Sequence, residues 1–72
     1  MDKKPVEIKI YSDYITLGQF LKFADVIQTG GEAKFWLSSH TPLINNEEDN
    51  RRGRKLRVGD EVKIDSKVYK IV

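Results

Sequence analysis

The stretch from Thr16 to Leu37, TLGQFLKFADVIQTGGEAKFWL, decides how this chain folds. Thr16 and Gln19 have the spacing of a capping box, in which a hydroxyl accepts from a free backbone N–H of the first helical turn and the amide side chain reaches back. Leu17, Phe20, Leu21 and Ala24 follow at the spacing that turns one apolar helix face toward a core. This predicts a first helix from about Thr16 to Ile27. The double glycine Gly30-Gly31 should break it, and Thr29 with Glu32 offers a second capping box, so two helices are expected to meet at a tight turn. Ala33, Trp36 and Leu37 form the stripe of the second helix, which should end near Ser38-Ser39-His40, ahead of Thr41-Pro42.

Strand patterns flank the helices on both sides. Val6, Ile8 and Ile10 alternate with Glu7 and Lys9, the period of a strand with one buried face, over about residues 5–11. Beyond the helices, Leu43-Ile44 leads into Asn45-Asn46, residues that tolerate positive φ and suit a hairpin turn. Val58-Gly59-Asp60 and Asp65-Ser66 are turn signals bracketing Glu61 to Ile64, and Val68 to Val72 closes the chain as a strand. The order strand, helix, helix, short strand, strand, strand is that of an α+β domain, two helices packed on a small antiparallel sheet.

Length and composition limit what such a domain can be. A chain of 72 residues buries only about 60% of its unfolded surface and cannot divide that core, so residues 1–72 are expected to form a single domain. The absence of cysteine excludes a disulfide framework and a thiolate metal site and suits a reducing cytoplasm. No apolar run approaches the roughly 20 residues that cross a bilayer, and no signal-peptide apolar region follows the charged start, so no membrane association is expected. The 13 Lys and Arg nearly balance the 11 Asp and Glu, for a net charge of +2, but the charge is segregated along the chain. Five of the seven residues from Arg51 to Arg57 are basic, and Glu47-Glu48-Asp49 lies just before them.

The basic run Arg51-Arg52-Gly53-Arg54-Lys55 carries the strongest functional signal, because closely spaced guanidinium groups offer forked donors that match phosphate oxygens. By composition alone it reads equally as a solvated loop neutralised by Glu47, Glu48 and Asp49. A second anion-seeking feature is Gly30-Gly31-Glu32-Ala33-Lys34, where backbone N–H groups open a helix and Lys34 adds a charge in its first turn. The plainer alternative there is a helix start whose free donors are satisfied by Glu32.

Taken together, a capped helix, a GGEAK turn into a second helix, an Asn-containing hairpin, RRGRKL and a Gly-Asp turn before a strand resemble a known family. It is the RNA-binding domain named after ribosomal small-subunit protein four, also called the alpha-L motif, and the chain is similar more narrowly to its stand-alone YaaA-type members. The resemblance covers about Ile15 to Ile64. It implies binding of structured RNA, ribosomal RNA or the ribosome being the expected partner, by the two helices and the loop after them, in the bacterial cytoplasm. By position it points to Lys34 at the second helix, to Arg51, Arg52, Arg54 and Lys55 in the run, to Gly30 and Gly31 as a turn allowing close approach, and to Asn45 as the hairpin asparagine. Two positions depart from the pattern: Asn46, where glycine is usual, and Glu48, where an apolar residue is common. A looser hairpin and redirected RNA contacts are the expected effects.

The aromatic residues admit bland readings. Phe35 lies off the helical stripe and could stack on a base, but is expected to pack beneath a strand or loop, with Trp36 in the core and Tyr11, Tyr14 and Tyr69 over the sheet edge. Catalysis is not expected. One histidine, His40, which reads as a helix-end residue, and no cysteine leave no nucleophile and base pair, and adjacent carboxylates at Glu47 to Asp49 lack the ligand spacing of a calcium loop. No cofactor or metal is expected, and a monomer is. The alternative from another class is a protein-interaction module that adds a partner strand to an exposed sheet edge.

Overall fold

Leu17, Phe20 and Leu21 have no exposed surface, which puts the apolar face of the first helix at the centre of the core. The computed structural model describes residues 4–72; in it strand β1 spans Val6–Ile8, β2 Ile15–Thr16 and helix α1 Leu17–Phe23. The capping box forms: the Gln19 N–H donates to Thr16 Oγ1 (3.2 Å) and the Thr16 N–H donates to Gln19 Oε1 (2.9 Å). The helix stops short of the expected Ile27, and Asp25 rather than the double glycine stops it. Asp25 adopts φ 61, and the Asp25 N–H donates to the Lys22 carbonyl (3.1 Å) and the Val26 N–H to the Leu21 carbonyl (2.9 Å). That is a Schellman ending, usually built on glycine, and it folds Ile27 back into the core. Aspartate is one of the few residues that tolerate the left-handed conformation.

Helix α2 spans Glu32–Ser39, and its start differs from the expected capping box. Gly31 is the cap residue with φ −68 and no side-chain bond, and the Thr29 hydroxyl meets the Glu32 carboxylate at 3.4 Å. Neither Gly30 nor Gly31 needs positive φ; among the glycines only Gly59, at φ 99, does. The eight residues from Ala24 to Gly31 separate the helices, so the turn between them is wider than the sequence suggested. Ala33 and Leu37 are buried, whereas Trp36 is half-buried, its ring stacked on His40 at 4.5 Å. His40 ends α2 as expected, its Nδ1 3.0 Å from the Trp36 carbonyl.

Five short strands follow: β3 at Leu43–Ile44, β4 at Glu47–Glu48, β5 at Lys55–Leu56, β6 at Glu61–Ile64 and β7 at Lys67–Ile71. The larger sheet has the order β1-β7-β6-β3-β4, and β2 pairs with β5 in a separate ribbon. The α+β architecture holds, with one change. Every ladder is antiparallel except β1 with β7, which run parallel with Val6 opposite Tyr69 and Ile8 opposite Ile71. A parallel neighbour needs a long crossover, and here almost the whole chain lies between the two strands. Tyr69, expected over the sheet edge, is buried and stands edge-on to Phe20 with centroids 5.3 Å apart. Among the described residues no helix is long and apolar enough to cross a membrane.

The β3–β4 hairpin is tight despite Asn46. Asn45 and Asn46 adopt φ 52 and 70, the two left-handed residues of a type I′ turn, closed by Ile44 opposite Glu47. A β-branched side chain in that conformation costs about 1–2 kcal/mol. Asn46→Val is therefore expected to lower unfolding free energy by about that amount, with Asn46→Gly at least as stable as the parent, both read from urea midpoints. A valine variant as stable as the parent would show that the turn is not held in this form.

Candidate functional site

The basic loop is seated on the first helix. Four N–H groups at a helix start lack intrahelical partners, and in α1 the loop supplies two of the missing acceptors: the Leu17 N–H donates to the Arg54 carbonyl (2.7 Å) and the Gly18 N–H to the Arg52 carbonyl (3.0 Å). A further bond, from the Arg54 N–H to the Arg51 carbonyl (3.1 Å), folds the loop into a turn with Arg52 and Gly53 at its tip. Gly18 makes the close seat possible, since a Cβ there would lie 2.9 Å from Arg52 Cγ. The sequence reading missed Gly18. The available signal was energetic: glycine inside a helix costs about 1 kcal/mol relative to alanine, so its place in the first turn calls for a packing reason.

One carboxylate organises two of the arginines. Asp49 Oδ2 accepts from Arg51 Nη2 (2.7 Å) and from Arg54 Nη1 (3.1 Å), while Oδ1 accepts from Arg51 Nε (3.1 Å) and from the Arg51 backbone N–H (2.9 Å). The Asp49 side chain is only 8% exposed, whereas that of Arg51 is 73% exposed. The Arg51 hydrogen bonds, set against desolvation, hold the Asp49 carboxyl well below the usual carboxylate range, and Asp49 raises the Arg51 guanidinium in turn. Neutralisation by all three acidic residues is thus corrected to one: among the described residues Glu47 and Glu48 form no ion pair, and neither do Arg52, Lys55, Arg57 or Lys34.

The remaining site residues divide between neighbouring depressions. Lys34 of α2 and Arg52 of the loop line the same one, of about 340 Å³, together with Ser38 and Asn50. Gly30 lines another, of about 440 Å³, with Arg52, Gly53 and Lys22, and Lys22 is a cation the sequence reading did not include. Arg51, Arg54 and Lys55 line a third, of about 560 Å³, which also takes in Arg57. Gly31 is exposed but lines none of these three. Asn45 stands apart: its Nδ2 donates to Asp60 Oδ1 (3.2 Å) and its Oδ1 accepts from the Glu61 N–H (3.0 Å), so its amide ties the hairpin to β6.

The start of α2 is less open to anions than its sequence suggested. Its first two N–H groups donate backward, Glu32 to the Thr29 carbonyl (3.1 Å) and Ala33 to the Gly30 carbonyl (3.3 Å). The positive charge at this end is therefore carried by the Lys34 ammonium. Among the described residues no cluster of His, Asp or Glu could hold a metal ion.

A family model described as S4 domain matches residues 8–72. Over 58 residues the chain is 66% identical to a protein of Bacillus subtilis (strain 168) described as "Probable ribosome maturation protein RlbA", the match covering 81% of this chain and 82% of that relative. No solved structure matches significantly.

The Asp49 clamp gives a pH signature. A carboxyl whose folded-state pKa is depressed contributes stability that is complete above its ordinary value, 3.8, and is lost as pH falls toward the folded value. Asp49→Asn is expected to be less stable than the parent at pH near 7, with the gap closing progressively below about pH 4. Urea unfolding across that range checks this, and a gap that stays constant with pH would refute it.

Proposed function

This chain belongs to the S4 domain family, and on that footing we propose that it is a binding module for structured RNA, with ribosomal RNA or a ribosomal particle as its partner. The observation that supports this best is the convergence of Lys34 and Arg52, from elements far apart in sequence, on one depression beside the Asp49-held arginines. Backbone phosphates suit such a surface, since they position a protein on RNA without requiring base contacts. Arg52 and Lys34 act as unpaired cations on one side. On the other, Arg51 spends Nε and Nη2 on Asp49 and keeps Nη1 for a phosphate oxygen, and Arg54 keeps Nη2. Lys55 extends the same surface, Gly30 borders it, and Gly31 and Asn45 support the fold around it.

The relative's description as a ribosome maturation protein supports a ribosomal partner and a cytoplasmic location. Binding rather than catalysis is the reading, because the surface is a set of cations around shallow depressions with no nucleophile and base held together among the described residues. Strand addition is less well supported: the edge strands β1 and β4 are three and two residues long, and such short edges resist pairing with another chain.

Affinity for a structured ribosomal RNA fragment is expected to fall with salt at a log–log slope of about −3 to −4, from roughly five phosphate contacts. The pair Lys34→Ala and Arg52→Ala, both at exposed positions, should weaken binding at least about tenfold and reduce that slope by about 2. A flat salt response in the parent protein, or an unchanged slope in the folded double variant, would overturn the RNA reading.

A further inference from the structure

Three aromatic rings are left in water on the flank of this surface: Tyr11 is 91% exposed, Phe23 56% and Tyr14 40%. They are not scattered. Together with Lys9, Ile10 and Gln19 they line one groove of about 490 Å³. A contiguous apolar patch on so small a domain marks an interaction site more often than a chance exposure.

The groove is bordered by cations placed on the rings themselves. Lys9 Nζ lies 5.7 Å from the Tyr11 centroid, Lys55 Nζ 5.0 Å from that of Tyr14, and the Arg57 guanidinium 5.8 Å from the same ring. Strand pairing produces this. Ile15 of β2 stands opposite Leu56 of β5, so Tyr14 and Arg57, the flanking residues, are brought side by side. Lys55 and Arg57 also line the depression that holds Arg51 and Arg54, which makes the aromatic groove continuous with the basic surface. Asp60, the carboxylate of that depression, is turned to the fold: it accepts from the Arg57 N–H (2.8 Å) and from Asn45 (3.2 Å).

We propose that this groove is a stacking platform for unpaired nucleotides that continue from the structured RNA held by the basic loop. Aromatic faces accept any base, and cations beside them meet the connecting phosphates, which is the combination that holds single strands without reading their sequence. The inference rests on the RNA reading above. It adds a junction between paired and unpaired RNA as the ligand, with Tyr11, Tyr14 and Phe23 under the unpaired part and Lys9, Lys55 and Arg57 along its backbone.

The test uses the whole chain and three probes: a blunt RNA hairpin, the same hairpin carrying a short run of unpaired adenosines at either end, and the adenosine run alone. The extension is expected to tighten binding by about tenfold, the scale of one well-stacked base. Tyr11→Ala with Phe23→Ala should abolish that gain and leave affinity for the blunt hairpin as it was, since neither residue lines the depressions around the basic loop. A blunt hairpin that binds with no gain from the extension, or a gain that survives the double substitution, overturns the platform alone and leaves the RNA reading standing. Loss of all three probes overturns the platform and the RNA reading together. Tyrosine-dependent binding of the adenosine run without binding of the hairpin supports the platform and overturns the structured-RNA reading.

Discussion

The arrangement depends on the N-terminus of α1, whose first donors are satisfied from outside the helix as well as within it. Gln19 bonds to the capping threonine, but Leu17 and Gly18 donate to carbonyls of the basic loop. Each such bond spares the desolvation of a helix-end donor, a cost of about 1–3 kcal/mol when unmet. The helix start therefore cannot be completed unless the loop is in place, and the loop is held there by its Arg51–Arg54 turn, by the Asp49 clamp and by the pairing of Lys55 with Thr16. The cap of the core helix and the shape of the cationic surface rest on the same contacts. Gly18, by having no side chain, sets how closely the two can approach.

The same coupling explains which features were legible in the sequence. The capping box at Thr16, the hairpin at Asn45-Asn46, the turns at Gly59 and Asp65 and the helix end at His40 each depend on residues within a few positions, and each forms as its local chemistry suggests. Asp25 was not legible as a helix stop, because the aspartate ending depends on burying Ile27 in a core built from distant strands. The parallel pairing of β1 with β7 joins the two ends of the described chain, and nothing local in either strand announces it. The site divides the same way. That Arg51 to Lys55 is a charged surface could be read directly, but that Asp49 alone takes two of its arginines while Glu47 and Glu48 take none depends on which way a hairpin side chain points.

The aromatic residues were the hardest to place, and for one reason. Size and apolarity argue for burial in so small a domain, yet Phe35 is 78% exposed on the outer side of α2, and Tyr11 stands almost wholly in solvent, while Tyr69 has taken a core position against Phe20. Two helices of seven and eight residues cannot cover more rings than these. A short α2 has one buried stripe, and Ala33 and Leu37 fill it, so helix geometry turns the ring of Phe35, expected beneath a strand or loop, away from the core. Apolar surface that a fold this small cannot cover is left available for contact with something else.

Strand β1 is three residues long, lies at the edge of the larger sheet, and pairs only with the last strand of the described chain. Contacts of such long sequence separation are entropically the slowest to form; once formed, β1 is held by its three-residue ladder to β7 and by bonds from the Val72 N–H to the Ile8 carbonyl and from the Ile10 N–H to the Val72 carbonyl, 2.9 Å each. The protein thus has an order of assembly written into it. The hairpins and the α1–loop seat, whose partners lie closer in sequence, can close first, and β1 is laid down on a sheet already made. Lys9, Ile10 and Tyr11 follow β1 directly in the chain, so the aromatic groove takes its shape from this last-formed pairing, whereas the Asp49 clamp and the α1 cap are built from contacts that close without it.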